Sequence, residues 1–181
     1  MYVGGIFQLK RLLLLMALIG LSSCSHPEKT TKEDYSSASI SGYVTALQEG
    51  RFLVVDHQPR YQNDGDEYFD AIWFSSEESE GVEIGDYMYV WYGVSFLSYP
   101  GHAGATKFVV EEQEKQETML TEKEVIQQAV NELDTITGEH YYSPILSKIE
   151  YEKQTNSWVV RFENENLNKP DIAIHIKDAK S

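Results

Sequence analysis

Ile40-Ser41-Gly42-Tyr43-Val44-Thr45-Ala46-Leu47-Gln48-Glu49-Gly50-Arg51-Phe52-Leu53-Val54-Val55-Asp56 decides the fold class. β-branched and aromatic residues dominate both flanks, and Gln48-Glu49-Gly50 between them reads as a tight turn. The stretch therefore predicts a hairpin, with strands over Ile40–Leu47 and Arg51–Asp56. Downstream, a polar loop rich in acid (Asn63-Asp64-Gly65-Asp66-Glu67) leads to a third predicted strand, Tyr68–Phe74. Glu77 to Gly85 is an acidic connection with room for a short helical turn. Gly85-Asp86 opens a fourth strand, Tyr87–Gly93, and a loop containing Ser98-Tyr99-Pro100-Gly101 leads to a fifth, Ala105–Val110. Five short strands with glycine turns in about 70 residues predict a small closed or part-closed barrel over residues 40–112. Closure hides sheet edges, which matters in a small chain without disulfides.

After a charged linker (113–118) the hydrophobic period changes from two to 3.6. Thr121-Glu122-Lys123-Glu124 has the form of a capping box, with Leu120 and Val125 placed as a hydrophobic staple. Val125, Ala129 and Leu133 lie one turn apart beside Ile126 and Val130, so a helix is predicted to about Leu133 or Ile136, with Gly138 as its stop. Three alternating strands follow. Ser147, Ile149 and Tyr151 alternate within the first, and Thr155-Asn156 makes a turn. Trp158, Val160 and Phe162 alternate in the second, and Ile172, Ile174 and Ile176 in the third. Residues 119–181 are thus expected to form an α+β module, a helix on a three-stranded antiparallel sheet. The fold class is mainly β, α+β.

Upstream, Lys10 and Arg11 precede an uncharged run from Leu12 to Leu21, ten residues long. A membrane-spanning helix needs about 20 apolar residues, so residues 1–23 read as a secretion signal. Leu21-Ser22-Ser23-Cys24 resembles the lipobox of bacterial lipoproteins. That resemblance implies a diacylglyceryl group on Cys24, cleavage before it, and a chain lipid-anchored to the cell membrane on its extracytoplasmic side. The alternative is an ordinary signal peptide with an incidental Cys. Cys24 is the only Cys in the chain. An exported chain with one thiol forms no internal disulfide, and lipidation accounts for the odd thiol. Two acyl chains suffice for stable anchoring where one is marginal. Residues 24–39, polar after Cys24, are expected to act as a flexible tether.

The formal net charge is −14, and removing residues 1–23, with two cations and no acid, leaves −16. That charge disfavours nucleic acid and anionic headgroups as partners.

Taken in order, Ile40-Ser41-Gly42-Tyr43-Val44, Arg51-Phe52-Leu53-Val54-Val55, Ala71-Ile72-Trp73-Phe74, Gly85-Asp86-Tyr87-Met88-Tyr89-Val90-Trp91 and Ser98-Tyr99-Pro100-Gly101 resemble the YobA-like domain of small Bacillus-type lipoproteins over about residues 38–112. This family is a domain of unknown function. The resemblance implies an OB-like barrel and an envelope address, and no activity. The C-terminal helix and sheet are similar to PepSY-like exported modules, which implies a regulator of an exported peptidase.

Strand alternation places Tyr87, Tyr89 and Trp91 on one face and Met88, Val90 and Tyr92 on the other. One face must be core. The other, with Trp73 and Tyr99, is either a stacking platform for a sugar or peptide or further filling for a small core. Ser98 to Ala105, with His102, is either a binding loop at the barrel mouth or a turn whose glycines serve backbone shape. The candidate ligand-binding residues are therefore Trp73, Tyr89, Trp91, Tyr99 and His102. Asp56, His57 and His102 have no recognisable zinc spacing, and Asp64 and Asp66 lack EF-hand spacing, so no metal and no cofactor are expected. Asp70 with Glu77 or Glu78 is a pairing that 29 acids produce by chance, and His175 reads as solvent-facing. No P-loop, dinucleotide fingerprint or nucleophile elbow occurs. The expected function is a non-enzymatic envelope binding module, its partner a cell-wall glycan or peptide or an envelope protein.

Overall fold

In the barrel, alternate residues of each strand serve two different cores. The structure, a computed structural model, describes residues 34–62, 65, 67–113, 117–138, 141–164 and 170–179. The secretion signal, Cys24, the first part of the tether, and Asp64 and Asp66 lie outside the described residues. The barrel strands are β1 (Ile40–Gln48), β2 (Arg51–Tyr61), β3 (Glu67–Ser75), β4 (Tyr87–Phe96) and β5 (Gly101–Val110). They close in the order β1-β2-β3-β5-β4, with β4 returning to pair β1. β3 and β5 run parallel; the other neighbours are antiparallel. The mainly β, α+β reading with an OB-like barrel holds.

Closure depends on Gly42, which pairs with Asp56 of β2 on one side and Met88 of β4 on the other. A Cβ there would lie 1.8 Å from the Val55 carbonyl oxygen, so only glycine lets the strands meet. The inward side chains Val44, Phe52, Val54, Ile72, Phe74, Met88, Val90 and Ala103 fill the barrel.

The outward side chains of β2 and β3 are apolar too, which the pleat alone would leave in water. Leu53, Val55, Phe69, Ala71 and Trp73 pack against the C-terminal part: α1 (Glu122–Thr137) and the sheet β6 (Leu146–Glu152), β7 (Ser157–Phe162), β8 (Ile172–Lys177). Val125, Ile126, Ala129 and Leu133 of α1 meet Trp158, Val160, Phe162, Ile174 and Ile176 in the same core. Residues 35–181 accordingly form one compact unit.

The helix begins as its sequence dictates. The Glu124 N–H donates to Thr121 Oγ1 (3.2 Å) and the Thr121 N–H donates to Glu124 Oε2 (2.7 Å). Gly138 ends it with φ +73°, its N–H donating to the Asp134 carbonyl. Polar pins join helix to barrel. Lys123 Nζ lies 2.7 Å from Asp86 Oδ1 and 2.6 Å from Glu83 Oε2, and the Tyr43 hydroxyl donates to the Glu122 carboxylate. At the other end of the chain, the buried Asp178 carboxylate accepts the Met119 and Leu120 N–H groups at 2.9 and 2.8 Å.

Three predicted boundaries move. β2 runs on to Tyr61 past an irregularity between Val55 and Pro59, and β4 runs on to Phe96. β5 begins at Gly101, so most of the stretch read as a loop is strand. Gly101–Gly104 pairs in parallel with Ile72–Ser75. The connection from Ser76 to Asp86 is turns only.

Candidate functional site

Tyr87, Tyr89 and Trp91 do project from the barrel on one side of β4, while Met88 and Val90 fill its interior. The outer rings are half-buried and already partnered. Tyr35 stacks on Tyr89 at 4.4 Å between centroids and meets Trp91 edge-on at 6.4 Å. Tyr43 and His57 meet Tyr87 edge-on. Trp91 Nε1 donates to Ser37 Oγ (3.2 Å), and Lys107 Nζ sits 4.6 Å from the Trp91 ring, a cation–π contact. The last residues of the expected tether, 35–39, are thus laid on this strand. Burial pushes the Tyr87 and Tyr89 hydroxyls above the usual phenol range.

Trp73 is elsewhere. It is buried under the C-terminal part, with Nε1 donating to Ser143 Oγ at 3.2 Å, and it edges a small cavity of about 140 Å³ with Tyr141 and Pro144. The structure does not bring it to the Tyr89–Trp91 face. His102 is half-buried in β5, opposite Trp73 of β3 and Phe96 of β4. His57 Nδ1 lies 2.9 Å from the Tyr87 hydroxyl and 3.1 Å from the Ser41 carbonyl. Among the described residues, no three His, Cys, Asp or Glu side chains are grouped to hold a metal ion. Asp70 pairs with Arg60 at 2.5 Å, and His175 is exposed.

Tyr99 lies on the rim of a larger groove, about 780 Å³, between the barrel and the C-terminal sheet. Gln62 follows β2, and β3 supplies Glu67, Tyr68 and Phe69; β6 and β7 supply Lys148 and Arg161; Glu163, Asn164 and Asp171 complete it. The Tyr99 hydroxyl is held 3.0 Å from the Phe69 carbonyl and 3.2 Å from Glu163 Oε2. Burial pushes that hydroxyl well above the phenol range, and Glu163 adds to it. Burial likewise pushes the Glu163 carboxyl up; the nearby Asp171 and Glu67 carboxylates reinforce this, and the Tyr99 hydrogen bond opposes it. The groove therefore offers two tyrosine rings, amide groups, a guanidinium and an ammonium, and a carboxyl raised above the ordinary glutamate range. Its volume is in the range of small-ligand sites. A second cavity, about 760 Å³ at the β1–β2 turn, has Arg51, Lys107, Glu49, Glu77 and Glu78 on its walls and Phe108 as its aromatic ring.

Reading the sequence found Tyr99 but missed Tyr68, Lys148, Arg161 and Glu163. They come from separate segments and meet because the sheet packs against β2 and β3. Strand alternation marks Arg161 as outward-facing, but nothing in the chain says what it faces.

A family model described as a protein of unknown function (DUF3221) matches residues 41–111. The match covers the barrel and stops before α1. No curated protein and no solved structure matches the chain. Among the described residues, no helix is long and apolar enough to cross a membrane.

Proposed function

We propose that the exported chain is a non-enzymatic binding module, held on the outer side of the cell membrane by a diacylglyceryl group on Cys24, that takes a cell-wall glycan or peptide in the Tyr99 groove. On this reading the barrel is the YobA-like domain of a small envelope lipoprotein. One observation carries the binding site: the groove combines the Tyr68 and Tyr99 rings with the amides of Gln62 and Asn164 and the Arg161 fork. Aromatic faces suit the apolar side of sugar rings and peptide side chains, while amides and a guanidinium suit hydroxyl and carbonyl groups. The β4 rings are a poorer seat, because Tyr35 already covers Tyr89.

Retention of the exported chain on peptidoglycan tests the site. Tyr68→Ala with Arg161→Ala should reduce retention several-fold, whereas Trp91→Ala should not. Equal retention of all three proteins would sink the groove. The anchor has its own test: fatty-acid labelling should vanish in Cys24→Ala. A turnover activity lost in Glu163→Gln would overturn the non-enzymatic reading. A PepSY-like role as a peptidase regulator draws on the order of α1, β6, β7 and β8, and is tested by adding the whole exported chain to envelope peptidases. The barrel shares its core with this part, so the fragment alone is no fair test.

A further inference from the structure

The tip of the β4–β5 hairpin breaks the usual rule for an acidic surface. Val94, Phe96 and Leu97 are 87, 77 and 105 % exposed. They sit within twenty consecutive residues, Tyr87 to Thr106, that contain no Asp, Glu, Lys or Arg, in a chain whose charged fraction is 24 %. The pairing of β4 with β5 is irregular between Tyr92 and Ser95, just before this tip. Exposed apolar clusters on soluble chains mark contact surfaces. We propose that this tip dips into the surface of the lipid bilayer that carries the anchor.

The course of the chain favours a lipid surface over other occupants. The segment that follows Cys24 joins the fold on β4 itself: Tyr35 stacks on Tyr89, the Ser39 N–H donates to the Val90 carbonyl, and Ser39 Oγ accepts the Tyr92 N–H. Phe96 lies four residues beyond Tyr92, about 13 Å along the strand. The eleven residues from Cys24 to Tyr35 reach at most about 40 Å. A lipid on Cys24 would therefore leave β4 within reach of the membrane. The rest of the acidic surface is repelled by anionic headgroups, and the uncharged tip is not. Phe and Leu between serines suit the boundary between headgroups and acyl chains.

The inference rests on the anchor of the proposed function, so the experiment imposes the anchor. The exported chain (24–181) is coupled through Cys24, its only thiol, to a maleimide lipid in phosphatidylcholine vesicles. Phe96→Trp adds a fluorophore at an exposed position, and the wild type, with Trp73, Trp91 and Trp158, supplies the baseline. Brominated acyl chains should quench the added emission and shift it to the blue. Adding Val94→Ser and Leu97→Ser should lower vesicle binding of the uncoupled chain roughly tenfold or more. Added emission that stays unquenched and unshifted overturns the proposal. So does a sedimenting dimer that the serine changes dissolve, since the tip would then meet a second copy. Quenching on coupled vesicles without fatty-acid labelling in cells would remove the natural anchor and leave the tip's affinity for lipid standing.

Discussion

Lys123 Nζ stands 2.7 Å from Asp86 Oδ1, and this contact joins the first turn of the helix to the barrel. Asp86 is almost wholly buried, while the lysine side chain keeps 30 % of its surface in water. Asp86 Oδ2 also accepts the Glu83 N–H at 2.8 Å. Removing one partner of a buried pair costs 3–5 kcal/mol; with Lys123 part-exposed, about 2 kcal/mol is expected for Lys123→Ala. Chemical denaturation should read this as a lower midpoint with an unchanged slope, and as one transition rather than two, because barrel and sheet share a core.

Gly85→Ala should do more damage. Gly85 has φ +87°, and a Cβ there would lie 2.5 Å from the Lys123 carbonyl oxygen and 2.8 Å from its Cα. Those are helix backbone atoms, which cannot swing aside. Strain and overpacking together should cost about 3 kcal/mol or more. A thermal melt of the variant that matches the wild type would show that the helix does not need this close approach.

Trp73 and Trp91 should separate by what their loss affects. Trp73→Ala opens a cavity in the shared core and should cost about 3–5 kcal/mol. Trp91→Ala forfeits a cation–π contact and part of a half-exposed ring, about 1 kcal/mol. Denaturation midpoints of the two variants check this order.

The pH dependence of stability should carry two opposite signatures. The Glu163 carboxyl is raised in the fold, so the native state holds a proton that the unfolded chain has released. Stability from this group is therefore lost as pH rises from about 4.3, the ordinary glutamate value, through the folded value. Glu163→Gln should flatten that decline. Asp178 runs the other way. Burial would raise it, but the Met119 and Leu120 N–H groups and the Trp158 indole together hold it below the usual range. Its contribution is present above about pH 3.9 and is lost as pH falls through the folded value. Asp178→Asn should weaken the acid sensitivity, and midpoints measured across pH 2–8 decide both points.

The barrel was readable because each strand carries its own alternation and each turn its own glycine or acidic loop. The helix was readable from Thr121 to Glu124, four residues that complete a local device. β5 was read too short, since Gly101, Ala103 and Gly104 have little strand propensity and are strand only because β3 and β4 flank them. The role of Trp73 was beyond reach for a different reason. Whether an outward aromatic is exposed depends on what lies over it, and its cover arrives some 50 to 100 residues later along the chain. The Tyr99 groove was hidden in the same way.

That cover has a consequence for what counts as a unit. The stretch matched as a domain of unknown function ends at residue 111, yet the outer sides of its β2 and β3 are apolar. A chain cut after residue 112 would present Leu53, Val55, Phe69, Ala71 and Trp73 to water and should aggregate or recruit another chain. The stretch from 41 to 111 is thus expected to be smaller than the stretch that stays folded and soluble alone. A protein that carries the same barrel with the same outer side chains must bring its own roof.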